Sequence, residues 1–358
     1  MSTMGGRSGT PIPMMWVSSS TRGFVEVPVA HDRLRSIDVQ VVVRPDGRRG
    51  LVSVLYLNSG ELEVYHQPSL DLDYEWFEND PPFAHCDLKE LVPTAFETIE
   101  CTVAPDHVSA ALDFTDVTGQ RIELRLDLPD PKAVKPLFTP APVHRAPRSL
   151  RFLQMNQFRL MPARQTEVEV RIGGTPVEAR PFVSPTSRLT PYLQARSGGD
   201  FLQVGMNPQH SNRLLEVANG MGAVDLADGS TAVIDSRGLR SLRTEGNGAW
   251  FEAVFEPALP NPDRLLEHGN AERGRIEVLS SLGPVAQGQW SSWPLGATGV
   301  VLEFNGLTQD WSPGLTQPAR TGLRYLRNYR RRGLSWNYRA GLSRDADGWR
   351  SSGAWSTA

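Results

Sequence analysis

Residues 108–127 read VSAALDFTDVTGQRIELRLD. Val108, Ala110, Leu112 and Phe114 fall on every second position. After Asp116-Val117-Thr118-Gly119 the pattern resumes with Ile122, Leu124 and Leu126, and Arg121, Glu123, Arg125 and Asp127 take the positions between them. Side chains of a strand alternate between its two faces, so a period of two puts the apolar groups on one face and the charges on the other. One covered face and one wet face is the pattern of an antiparallel sheet over a core. The stretch predicts two strands joined by a turn.

The same period runs outward in both directions. Upstream, Ile37, Val39, Val41 and Val43 alternate, and Leu51–Leu57 and Glu61–Tyr65 follow across the turn signals Pro45-Asp46-Gly47 and Asn58-Ser59-Gly60. Phe96–Val103 continues the series. Residues 128–148 hold six prolines and read as an extended linker. Beyond it, strands are expected at 167–172, 201–204, 214–218, 232–235, 249–256, 275–279, 299–304, 335–342 and 348–355. Helical spacing is confined to Asp263–Glu272 and Gly322–Arg332. The expected fold is all-β, with two consecutive antiparallel β-barrel or β-sandwich domains and few short helices. Residues 1–20 read as a flexible tail, 21–148 as the first domain with its proline-rich linker, and 149–358 as the second.

Composition narrows the function. A net charge of −3 gives no global attraction to nucleic acid or membrane. No run approaches the roughly 20 apolar residues of a spanning helix. The first residues lack the charged and apolar regions of a signal peptide, so a cytoplasmic location is expected. Two cysteines, Cys86 and Cys101, do not make a disulfide framework. Three lysines stand against 34 arginines through the whole chain, as biased codon usage in a GC-rich bacterial genome would give. Dinucleotide, P-loop, zincin and α/β-hydrolase signatures are missing, and no cofactor or metal is expected.

Two regions carry candidate chemistry. Residues 66–95 interrupt the strands with an acidic, aromatic run, in which Asp73, Glu75 and His85 are the candidates for proton transfer. The same residues also read as a solvated loop with Trp76 and Phe77 packed inward. The second region starts at Trp290 and holds six of the nine tryptophans together with an arginine cluster that includes Arg324 and Arg330–Arg332. Trp290, Trp293, Trp311, Arg324, Trp336 and Tyr338 are the candidate lining of a ligand pocket, because arginine and tryptophan faces suit anions and planar ligands. The plain alternative is that these tryptophans fill a core. Asn207-Pro208-Gln209-His210-Ser211-Asn212 is a further polar run, read as a turn.

Asp310-Trp311-Ser312-Pro313, Trp336-Asn337-Tyr338 and the layout of two β halves about a proline-rich joint resemble the tandem lipocalin-like proteins. That group includes carotenoid-hydratase-like proteins and Diels-Alderase-type cyclases. The resemblance implies an apolar or amphipathic small molecule held in a barrel without a redox cofactor, and no catalytic residue of the group is carried over. The leading expectation is thus a protein that binds a small molecule, with isomerase, hydratase or cyclase chemistry as its enzymatic form. A carbohydrate-binding or carbohydrate-active sandwich and a non-catalytic interaction module working through Arg330–Arg332 are the alternatives.

Overall fold

The structure is a computed structural model that describes residues 9–43, 47–72, 87–129, 137–140, 150–155, 159–162, 164–180, 193–207, 212–218, 220–226, 229–246, 248–309 and 335–358. These residues are built almost wholly from strands, as the alternation predicts, with one α-helix, Pro262–His268. Asn261 caps that helix by accepting the Asp263 N–H at 2.9 Å, and Gly269 ends it in the left-handed region at φ 70°.

His107–Thr115 and Arg121–Pro129 pair antiparallel, with Phe114 opposite Ile122, Leu112 opposite Leu124 and Ala110 opposite Leu126. All six side chains are buried. Asp116 Oδ1 shapes the turn by accepting from the N–H groups of Thr118 and Gln120, both at 2.9 Å. This hairpin belongs to a five-stranded sheet with Thr98–Val103 on one side and Glu167–Ile172 and Thr175–Pro176 on the other.

A nine-stranded sheet covers its apolar face. Its order is Leu137–Pro140, Leu150–Met155, Leu193–Met206, Trp16–Pro28, Leu34–Val43, Arg49–Leu57, Glu61–His66 and Asp87–Pro93, with Arg159–Pro162 also paired to Leu193–Met206. Every pair is antiparallel except Glu61–His66 with Asp87–Pro93, which is parallel. Val25, Val27, Ile37, Val39 and Leu55 meet the hairpin's buried face to form the first core.

The third large sheet has ten strands. In order they are Asn212–Arg213, Gly348–Thr357, Ser335–Asp345, Gly299–Gln309, Gly283–Leu295, Glu272–Ser280, Ala249–Pro260, Gly238–Gly246, Thr231–Ile234 and Gly222–Asp225. Its inner face carries Phe251, Phe255, Trp290, Phe304, Trp336, Trp349 and Trp355. These pack on Trp16, Phe152, Leu202, Val204 and Met206 from the nine-stranded sheet, forming the second core.

Among the described residues, two strands therefore serve both cores. Trp16–Pro28 places Trp16 in the second core and Val25 and Val27 in the first. Leu193–Met206 places Ala195 in the first and Leu202, Val204 and Met206 in the second. They pair with each other along ten register positions, so strands from both sides of the proline-rich stretch share one sheet. Within the first twenty residues, Gly9–Pro11 also pairs with Glu216–Ala218.

One end of the first core is closed by charge. The Glu63 carboxylate, wholly buried, accepts from Arg33 Nη1 at 3.1 and 2.9 Å, from Lys89 Nζ at 3.1 Å and from the Tyr65 hydroxyl at 2.9 Å. Arg33 Nη2 also pairs with the buried Asp116. Burial holds the Tyr65 hydroxyl above its ordinary titration range, which suits a fixed donor rather than a nucleophile.

Candidate functional site

A cleft lined by described residues arises from two neighbouring irregularities in the ten-stranded sheet. The pairing of Gly283–Leu295 with Gly299–Gln309 shifts register between Gln287 and Gln289. The pairing of Gly299–Gln309 with Ser335–Asp345 shifts between Phe304 and Leu307. Bulges of this kind bend a strand and redirect its side chains. Glycine makes both possible. A Cβ on Gly288 would lie 2.9 Å from the Leu307 Cα, and Gly306 takes φ 62°, donating its N–H to Asn337 Oδ1 at 2.9 Å.

On the sheet's outer face these bends open a cleft of about 610 Å³. The register arranges its side chains in two rows. Glu256, Arg275, Gln289 and Asn305 lie abreast on four adjacent strands, and Val254, Glu277, Gln287 and Thr308 lie abreast beside them. Strands about 4.8 Å apart make each row about 14 Å long. Except for the half-buried Val254, all eight are exposed. Thr308 Oγ1 donates to the Gln287 carbonyl at 3.3 Å. Glu256 and Arg275 are register partners, yet no ion pair joins them, and Glu277 is likewise without an ion-pair partner among the described residues. The cleft thus offers carboxylates, a guanidinium, carboxamides and a hydroxyl, all with free hydrogen-bonding capacity. No group of three or more His, Cys, Asp or Glu side chains suited to a metal ion occurs among the described residues.

The expected lining residues divide between two faces. Trp290, Trp336 and Tyr338 lie buried in the second core, where Tyr338 stacks on Phe304 at 5.8 Å and meets Trp355 at 4.9 Å in a tilted contact. Burial pushes the Tyr338 hydroxyl up to about 12, against the opposing effect of its hydrogen bond with Ser351. Trp293 lies on the opposite, outer face, half-buried, in the same alternation as Gln289 and Ser291. Trp311, Arg324, the proton-transfer candidates Asp73, Glu75 and His85, and the Gly322–Arg332 helix lie outside the described residues. Asn207 is a structural turn residue at φ 47°. Its Oδ1 accepts from the Met15 N–H at 2.8 Å, and its carbonyl accepts from Trp355 Nε1 at 2.9 Å.

Sequence reasoning passed over Glu256, Arg275, Gln289 and Asn305. The alternation marks each as a wet-face residue, and Gly288 and Gly306 signal bulges, but only the register sets the four abreast. No protein-family model matches this chain, and no curated protein or solved structure shows a significant match to it.

Proposed function

We propose that this is a small-molecule-binding β protein and that the bulge-made cleft receives a carbohydrate. The observation that carries the proposal is a double row of side chains, polar and exposed except for Val254, over a concavity about 14 Å long, in which Glu256, Arg275, Glu277, Gln287, Gln289 and Asn305 make no side-chain hydrogen bond or ion pair among the described residues. Sugar hydroxyls both donate and accept, and so do the carboxamides of Gln287, Gln289 and Asn305. Trp293 on the same face adds an aromatic surface for a sugar ring beyond the cleft's edge.

The test is calorimetric titration of the full chain with a panel of hexasaccharides. Gln289→Ala combined with Asn305→Ala should weaken binding about tenfold, the effect of losing one or two net hydrogen bonds. Unchanged affinity in the double variant, or no heat with any saccharide, would remove the cleft from consideration.

A second proposal places an apolar ligand in the second core, in keeping with the lipocalin-like resemblance. It is favoured by two buried indole N–H groups, Trp16 Nε1 and Trp290 Nε1, which have no hydrogen-bond partner. A buried donor left unpaired is costly, so a ligand acceptor at either position would be strongly bound. Native mass spectrometry of freshly purified protein should then show an added mass that denaturing extraction releases, and a bare polypeptide mass would count against it. Isomerase, hydratase or cyclase chemistry through Asp73, Glu75 and His85 belongs to this second proposal. No helix among the described residues is long and apolar enough to cross a membrane, and a cytoplasmic setting is part of either proposal.

A further inference from the structure

We infer that the cleft selects a saccharide carrying an isolated acidic sugar, held by Arg275, over both neutral and densely charged chains; this rests on the carbohydrate proposal above. Arg275 sits in the middle of the cleft's first row, between Glu256 and Gln289 on the flanking strands. Its guanidinium is exposed and makes no ion pair with its register partner Glu256. A guanidinium with its fork free matches a carboxylate in two parallel hydrogen bonds, a geometry that neither water nor a single hydroxyl reproduces.

The neighbours set the charge pattern the ligand must have. Glu256 stands directly across from Arg275, and Glu277 stands two residues along the same strand and the same face. A saccharide carboxylate on Arg275 would therefore have a protein carboxylate about 5 Å away across the strands and another about 7 Å away along its own. Arg273, two residues from Arg275 in the other direction on the same face, lies outside the cleft's lining, so a second ligand charge seated within the cleft beside Arg275 would meet one of these glutamates and be repelled, whereas a hydroxyl would be accepted. Gln289 and Asn305 extend the row on the other side with groups that favour neutral rings. Alternating acidic and neutral sugars fit this order of groups. A polyuronate or heavily sulfated chain does not.

The experiment titrates the full chain with three hexasaccharides: an alternating uronate and N-acetylhexosamine chain, a galacturonate homo-oligomer and a neutral glucan. The alternating chain should bind at least tenfold more tightly than either of the others, consistent with one added charge-assisted contact. In Arg275→Gln the ratio of the neutral to the alternating Kd should fall to near one, with the circular dichroism spectrum unchanged. If the neutral chain binds as well as the alternating one, or the ratio persists in Arg275→Gln, the charge selection is wrong and the cleft proposal stands. If the homo-oligomer binds tightest, the role given to Glu256 and Glu277 is overturned. If none of the three binds, the carbohydrate proposal falls, and the selection falls with it.

Discussion

Arg33→Ala is expected to lower the unfolding free energy by about 3–5 kcal/mol, the usual cost of leaving buried charges without their partner. Glu63 and Asp116 are both wholly buried, and among the described residues Arg33 is the one cation that reaches both. Lys89 would still touch Glu63, but its side chain is 40% exposed and it makes no ion pair with Asp116. The two carboxylates also come from different sheets, Glu63 from the nine-stranded sheet and Asp116 from the hairpin turn, so the loss also uncouples the sheets at that end. Arg33→Lys should recover only part of the loss, because an ammonium cannot present the planar fork that serves two carboxylates at once. Urea denaturation with an unchanged m value would measure it. A loss below about 1 kcal/mol, the range of a surface pair, would show that the network is solvated rather than buried.

Trp355→Ala should cost a similar amount, about 3–5 kcal/mol, as truncation of a buried aromatic does. Trp355 is 1% exposed and packs against Phe304 and Tyr338. Its indole N–H is shared between the carbonyls of Met206 at 3.1 Å and Asn207 at 2.9 Å. It thus fastens Gly348–Thr357 of the ten-stranded sheet to the end of Leu193–Met206 in the nine-stranded one. Trp355→Phe separates the two contributions. It keeps most of the ring and removes the donor, so it should cost about 1–2 kcal/mol. Denaturation midpoints of the two variants would decide the matter. Equal losses would mean that the hydrogen bonds, not the ring, hold the contact.

The fold class was legible at residues 108–127 because a hairpin is a local object. Its turn chemistry and its period of two lie within twenty residues of each other. The pairing of Trp16–Pro28 with Leu193–Met206 was not legible, since it joins segments with most of the first half of the chain between them and no local signal names the partner. Nor was the parallel pairing of Asp87–Pro93 visible, because alternation is the same for either direction of a neighbour. The division of Trp290 from Trp293 was present in the sequence: an odd spacing on a strand puts two side chains on opposite faces. The cleft was the least legible feature. Its residues come from four strands, and their alignment depends on where two bulges shift the register.

The two strands that serve both cores have a consequence for how the molecule comes apart. Cutting the chain between Pro28 and Leu193 and separating the pieces would strip each strand of one of its partners, exposing a long row of backbone donors and acceptors on both. Neither core can therefore loosen along its inner edge without disturbing the ladder that the other depends on. Folding of the second core must likewise wait for Trp16 and its neighbours to meet a segment made nearly two hundred residues later. Contacts this distant in sequence are slow to form, so the fold is expected to assemble late and as a whole rather than half by half.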